Sequence, residues 1–181
     1  SEIDQYDIQH LTSDMLGILD ALGETTASIV GHDWGAPLAT YSALFYPERF
    51  TRLVIMSVPY HGRQYQNPMS GMKAAFQDNF FYILYHNEPN GVAEKEYDKD
   101  PSGLISRFYQ SPDSPRKPPK ITDSKRSAGG FLPRIGGAEG LPAWFSKEDL
   151  DYVVGQFEES GFRGGVNYYR NIERNWKLTE D

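Results

Sequence analysis

Residues 27–36 read Ala-Ser-Ile-Val-Gly-His-Asp-Trp-Gly-Ala, and this stretch decides the fold. Its first part, Ala27–Val30, is short, apolar and partly β-branched, which is typical of a buried parallel strand. The residues that follow predict a helix over about 36–46, with Pro37 in the first turn, where a missing N–H costs little. Arg52–Val58 predicts a second strand. Strand, helix and strand in this order form a βαβ unit with a right-handed crossover.

The junction between the first strand and the helix has the form of a nucleophile elbow. Gly31-x-Asp33-x-Gly35 matches the G-x-S-x-G pattern with Asp in place of Ser. We expect a Cβ at either glycine to clash with nearby backbone in so tight a turn. The turn lifts the central side chain out of the carboxyl edge of the sheet, where ligands bind in open α/β sheets. An Asp after a strand is also a common helix N-cap, but the flanking elements favour Asp33 as a nucleophile.

A carboxylate at the centre of the elbow predicts a reaction at a saturated carbon. Serine needs a base to remove its proton, whereas a carboxylate is already anionic at neutral pH. Its attack gives an ester between the enzyme and an alkyl group. Hydrolysis of that ester needs a water activated by a histidine that an acid positions. Epoxides and alkyl halides are the electrophiles that fit.

The composition narrows the classes of function. The 181 residues carry a net charge of -7, which argues against nucleic acid and against an anionic membrane surface as partners. Cysteine is absent, which excludes a disulfide framework, a zinc–thiolate site and a cysteine nucleophile. Clustered ligands are also missing, so we expect no metal and no cofactor. Neither a membrane-length apolar run nor a secretory leader is evident, so we expect a cytoplasmic protein, with a homodimer left open.

The chain divides into two parts by sequence character. Residues 1–59 are interpreted as part of an α/β core, residues 60–178 as a mostly helical insertion, and residues 179–181 as the start of a return to the core. Apolar spacing and helix-end signals predict helices over 8–22, 76–86, 146–160 and 166–176. Ser146 with Asp149 resembles a capping box. A long irregular stretch rich in Pro, Gly and Ser covers 111–142.

The elbow sequence resembles that of the epoxide hydrolases of the α/β-hydrolase superfamily. Ser57-Val58-Pro59 is similar to the segment by which the family's chain enters its cap. Three further stretches follow in the same order as in the family and extend the resemblance over nearly the whole chain: Tyr82–Pro89, Leu141–Phe145 and Gly161–Asn171. The resemblance implies an α/β fold, with a partial α/β-hydrolase core around the elbow and a helical cap.

The same resemblance implies roles for two cap tyrosines. Tyr82, seven residues before Pro89, and Tyr169 match the family positions that bind the epoxide oxygen. Ring opening places charge on that oxygen, and two phenols can donate hydrogen bonds to it while one supplies a proton. The chain has 12 tyrosines, most of which must serve packing. Tyr85 and Tyr168 are the adjacent alternatives.

Trp34 and His32 complete the predicted site. The backbone N–H of Trp34 is expected to face the oxyanion, and its ring to form a pocket wall. His32 precedes the nucleophile and is interpreted as part of the pocket floor rather than as the base. The remaining histidines are interpreted as surface or cap residues without a local acid partner: His10, His61 and His86.

Some features of the family are missing. No His-Gly-x-Pro motif precedes the elbow, and the base histidine and its acid, which follow the cap in the family, are not found. We therefore expect the 181 residues to be an internal piece of a longer hydrolase that is catalytically incomplete by itself.

The predicted function is the hydrolysis of epoxides to vicinal diols through an ester on Asp33, with an epoxide and water as partners. Two alternatives stay open. A haloalkane dehalogenase uses the same Asp elbow, but a leaving halide needs no proton, so the cap tyrosines argue against it. A non-catalytic, hydrolase-like binding module is the second alternative.

Overall fold

The computed structural model describes residues 2–111 and 114–180. These residues form two compact units: the first runs through Ser70 and resumes at Arg170, and the second is Gly71–Tyr169. The unit boundaries differ from the residues 60 and 178 expected for the cap. The functional division into core and cap stays a prediction.

Beside four short 3-10 helices, nine α-helices and two strands are present in the described residues. In chain order they are α1 (Ile8–Ala21), β1 (Ala27–His32), α2 (Gly35–Phe45), β2 (Phe50–Met56), α3 (Pro68–Phe76), α4 (Tyr82–His86), α5 (Val92–Tyr97), α6 (Pro101–Phe108), α7 (Lys147–Ser160), α8 (Arg163–Arg170) and α9 (Ile172–Leu178). Among these helices, none has the length and apolar composition that crossing a membrane requires.

The βαβ unit of the first unit is confirmed. β1 and β2 pair in parallel, with Ile29 opposite Leu53 and Val30 opposite Val54. The expectation of a buried strand is wrong: Val30 is 60% exposed and Val54 is 51% exposed. The reason is that α2 packs against β1 and β2 from one side, whereas the face of β1 that carries Val30 is left uncovered by the described residues.

The first predicted helix is present as α1, but its buried face differs from the predicted one. Gly23 follows the helix with φ 70, as expected of a helix-ending glycine. Ile8 and Leu19 are buried, whereas Ile18 and Leu22, which the spacing assigned to the core, are exposed. The described residues therefore cover α1 along the side that carries Ile8 and Leu19.

Two helices predicted in the insertion are not continuous in the structure. The single helix expected over 76–86 is wrong, because α3 ends at Phe76 and Gln77 adopts φ 48, which α-helical backbone does not allow. A short non-helical segment follows before α4 begins. The helix expected over 166–176 is divided into α8 and α9 at Asn171, whose side chain donates a hydrogen bond to the Ile3 carbonyl at 2.6 Å.

The capping box of α7 is confirmed. The Asp149 backbone N–H donates to Ser146 Oγ at 3.0 Å, and the Ser146 backbone N–H donates to Asp149 Oδ2 at 2.9 Å. Hydrogen bonds from the backbone and side chain of Ser146 lower the pKa of Asp149. The helix ends at Gly161, which has φ 68.

The second unit has a core of aromatic and aliphatic side chains: Tyr85, Ala93, Tyr97, Leu104, Ile105, Leu132, Phe145, Leu150, Phe162 and Val166. The described part of the irregular stretch 111–142 is held against this unit by side-chain contacts. The Arg134 guanidinium donates to the carbonyls of Asp123 and Lys125 and lies 4.3 Å from the centroid of the Phe80 ring. Residues 112–113 of this stretch lie outside the described residues.

Candidate functional site

Asp33 lies in the tight turn between β1 and α2. β1 ends at His32 and α2 begins at Gly35, so the strand–turn–helix placement matches the sequence-based expectation. Asp33 has φ 52, a left-handed conformation that Asp and Asn adopt more readily than most residues. Its side chain is exposed. The role of Asp33 as a nucleophile stays a prediction.

The two glycines of the elbow have different structural requirements. A Cβ on Gly31 would lie 2.0 Å from the carbonyl oxygen of Gly35 and 2.4 Å from its carbonyl carbon, so only glycine fits. A Cβ on Gly35 would meet nothing within 4 Å among the described residues, apart from its chain neighbours and the nearby backbone of α2. The expectation that both positions exclude a side chain is therefore wrong for Gly35. The close approach is between the Gly31 Cα and the Gly35 carbonyl.

The backbone of Trp34 contacts the carboxylate of Asp33. The Trp34 N–H donates to Asp33 Oδ2 at 2.6 Å. Hydrogen bonds to a carboxylate are stronger than those between neutral groups, so this one fixes the side chain over the helix N-terminus. His32 is the last residue of β1, is exposed and pairs in register with Met56. The oxyanion role of Trp34 and the pocket role of His32 stay predictions.

The second unit brings Tyr82 and Tyr169 into contact. Their rings meet edge to face, with centroids 5.8 Å apart and planes at 83°. Tyr82 begins α4 and Tyr169 lies near the end of α8. The alternative Tyr85 is 8% exposed, and its hydroxyl donates to Glu96 Oε2 at 2.8 Å. Burial, and then the bond to Glu96, raise the pKa of Tyr85, which is a core residue.

The side chain of Asn87 joins the helices of these two tyrosines. Its Nδ2 donates to the Ile83 carbonyl at 2.9 Å and to the Tyr169 carbonyl at 3.1 Å. One amide thus bonds to the backbone of α4 and to that of α8. Because Nδ2 of Asn87 bonds to both backbones, the start of α4, which carries Tyr82, is held beside Tyr169.

The Phe131 ring packs beside Tyr82, and Glu96 holds the loop that carries Phe131. The Phe131 ring stacks on Tyr82 with centroids 6.1 Å apart and planes at 23°. Glu96 holds this loop, because its carboxylate accepts the backbone N–H of Phe131 at 2.8 Å and that of Leu132 at 3.2 Å. A Cβ on Gly130 would lie 2.2 Å from Glu96 Oε1, so glycine allows this close approach.

One histidine differs from its sequence-based interpretation. His10 Nδ1 lies 2.8 Å from Asp7 Oδ1, so the statement that His10 lacks a local acid partner is wrong. Burial alone raises the pKa of Asp7, but hydrogen bonds from His10 and Arg174 outweigh it and lower the pKa below the usual value. Of the two positions left open for His86, surface or cap, its 6% exposure excludes the surface, and its ring packs against Tyr82 and Tyr169.

The residues that sequence reasoning missed are His86, Glu96 and Phe131. His86 had a visible signal, because it follows Tyr82 by one helical turn on the predicted helix. Glu96 and Phe131 had none, since their contact joins a helix to a distant irregular loop.

The fold agrees with a comparison to protein-family models. Residues 1–131 match the model of the α/β hydrolase fold, and the chain belongs to that family. Within it, the similarity to epoxide hydrolases that the motifs indicated is confirmed by sequence and by structure.

The similarity to these relatives covers almost the whole chain. Epoxide hydrolase A of Mycobacterium tuberculosis is 39% identical over 183 residues, covering 99% of this chain and 56% of the relative. Epoxide hydrolase 2 of Siraitia grosvenorii is 39% identical, covering 96% of this chain and 53% of the relative. The crystal structure of epoxide hydrolase A from Mycobacterium thermoresistibile has a TM-score of 0.88 at 39% identity, covering 99% of this chain and 56% of that one. The chain thus spans about half the length of these relatives.

Proposed function

We propose that the protein containing this chain is an epoxide hydrolase that forms an ester on Asp33. The observation that carries the proposal is the contact between Tyr82 and Tyr169, whose ring centroids are 5.8 Å apart although the residues are far apart in sequence. Two neighbouring phenols suit an oxygen atom that gains negative charge. The names of the relatives support the same reaction.

The first step opens the epoxide ring. A carboxylate oxygen of Asp33 bonds to one epoxide carbon, and the C–O bond of that carbon breaks. The electron pair goes to the epoxide oxygen, which accepts hydrogen bonds from Tyr82 and Tyr169 and takes a proton from one of them. The product is a hydroxyalkyl ester of Asp33.

The second step hydrolyses the ester. Water adds to the ester carbonyl carbon, and the resulting oxyanion accepts a hydrogen bond from the Trp34 N–H, which already donates to Asp33 Oδ2 at 2.6 Å. Breakdown of this intermediate breaks the ester C–O bond and releases the vicinal diol, whose leaving oxygen takes up the proton that the water lost. The proton left on the Asp33 carboxyl group passes through solvent to the tyrosinate formed in the first step, which restores both side chains. The water needs a base, and the family resemblance implies a histidine that follows the cap.

The proposal is tested by trapping the ester. The protein is mixed with an epoxide, quenched within the first turnover and digested, and the peptide containing Asp33 is weighed by mass spectrometry. We expect a gain equal to the mass of one epoxide, and no gain in Asp33→Asn, whose side chain tolerates the same left-handed backbone. Tyr82→Phe and Tyr169→Phe should each slow ester formation by roughly 10- to 1,000-fold. Tyr168→Phe is the matched control and should not slow it.

Three outcomes would contradict the proposal. An ester that forms in Asp33→Asn would place the nucleophile elsewhere. Faster ester formation from a chloroalkane, insensitive to both Tyr→Phe changes, would favour a dehalogenase. Absence of any ester from either substrate would favour the binding module.

A further inference from the structure

His86 lies against both candidate tyrosines. Its ring centroid is 4.3 Å from that of Tyr169, with the planes at 56°, and 5.7 Å from that of Tyr82, with the planes at 79°. The side chain is 6% exposed. One imidazole therefore contacts each phenol ring of the pair, in addition to the contact that the phenols make with each other.

Tyr97 fixes the imidazole from the side of the core. The Tyr97 hydroxyl and His86 Nε2 are 2.7 Å apart and hydrogen-bonded, and their rings meet edge to face at 5.7 Å. Tyr97 is 3% exposed and also packs on Phe162 at 5.9 Å. Burial, and then the charge of Glu96, raise the pKa of Tyr97, so its hydroxyl keeps its proton at neutral pH.

We infer that His86 is a positioning residue that sets the mutual orientation of the Tyr82 and Tyr169 rings, with its hydrogen bond to Tyr97 as the anchor. Shape alone does not need a histidine here, because a phenyl ring would fill similar space. A buried imidazole loses hydration, which its hydrogen bond offsets, and that bond is directional where apolar packing is not. The bond fixes the rotation of the imidazole, and the imidazole then limits how far each phenol ring can turn.

The limit on the rotation of the two phenol rings matters for ring opening. This kinetic part of the inference rests on the proposed function. Two phenols that share one oxygen must both reach it within a few tenths of an ångström. The inference predicts an effect on ring opening, in which the phenols act, and none on ester hydrolysis, in which they do not. A residue that merely supports the fold would affect the two steps alike.

The test uses three single variants, and the double variant His86→Phe/Tyr97→Phe, in the protein that contains this chain. His86→Ala removes the ring, His86→Phe keeps a ring without the hydrogen bond, and Tyr97→Phe removes the bond from its other end. Single-turnover rates of ester formation and ester decay are measured separately, with the thermal midpoint of each variant. Ile105→Val, which trims another side chain of the same buried core, controls for a general loss of stability.

We expect His86→Ala to slow ester formation by roughly 10- to 100-fold and to leave ester decay unchanged. His86→Phe and Tyr97→Phe should slow ester formation by a smaller and similar factor, and the double variant should lose no more than either, because both remove one shared bond. Ile105→Val should keep the wild-type ratio of the two rates. Unchanged ester formation in His86→Ala, or equal slowing of both steps, overturns the inference.

A second measurement separates this inference from the proposed function. If the wild-type protein forms no ester on Asp33, the proposed function fails, and ring geometry then decides the role of His86. The ring resonances of Tyr82 and Tyr169 are followed by NMR in protein labelled with [13C]tyrosine and assigned through the two Tyr→Phe variants. Both resonances should move in His86→Ala and in Tyr97→Phe. Resonances that stay in place in Tyr97→Phe overturn the anchoring role.

Discussion

Replacing Gly31 by alanine tests the close approach at the elbow. The added Cβ would lie 2.0 Å from the Gly35 carbonyl oxygen and 2.8 Å from the Ala36 nitrogen, both backbone atoms that no rotamer change can remove. Real Cβ contacts essentially never fall under 3.0 Å, so β1 and the start of α2 must separate by at least 1 Å (3.0 less 2.0). Overpacking against rigid backbone of this kind costs about 3 kcal/mol or more.

The matched control is Gly35→Ala, four residues away. Apart from its chain neighbours and the nearby backbone of α2, no atom of the described residues lies within 4 Å of a Cβ there, and Gly35 begins α2. Alanine lowers the entropy of the unfolded chain and suits a helix. The free energy of unfolding should therefore rise, by no more than about 1 kcal/mol. Urea unfolding followed by circular dichroism measures both variants. Equal stability of Gly31→Ala and Gly35→Ala would refute the argument from the elbow geometry.

Two further predictions concern the second unit. Ser146→Ala removes the cap of α7 and should lower the free energy of unfolding by about 1 kcal/mol, and an unchanged urea midpoint would show that the capping box contributes nothing. The pKa values of Tyr85 and Tyr97 are raised, so the folded state keeps two protons that the unfolded state loses above about pH 10. The contribution of these two tyrosines to stability should therefore be constant below that pH, and above it stability should fall by up to about 1.4 kcal/mol per pH unit for each tyrosine. Urea unfolding between pH 9 and 11 measures this, and Tyr85→Phe should reduce the slope.

Local chemistry made parts of the fold predictable. The capping box at Ser146 and the glycine stop at Gly23 depend on residues within a few positions, and both are present. The break at Gln77 was not predictable, because nothing in its own sequence requires a positive φ. The buried face of α1 also depends on which elements cover it, so periodicity placed Ile18 and Leu22 on the wrong side.

The candidate site also has a part that local sequence predicts and a part that depends on tertiary packing. The elbow is a local pattern, and the sequence placed Asp33 between a strand and a helix without reference to other elements. The pairing of Tyr82 with Tyr169 joins distant positions, and only a family resemblance singled them out among 12 tyrosines. The contacts of His86 with Tyr97 and of Glu96 with the loop at Phe131 depend on tertiary packing, which neither spacing nor composition encodes.

The exposed faces of β1 and β2 affect how these residues behave in solution as a separate polypeptide. In the described sheet each strand pairs with the other alone, so each has one outer edge, and Val30 and Val54 are more than half exposed. Open strand edges bearing apolar side chains are templates for pairing with another molecule. Association through these edges would then limit the concentration that can be reached. Charged substitutions at Val30 and Val54 are the direct remedy, because they oppose edge-to-edge association and leave the hydrogen bonds between β1 and β2 intact.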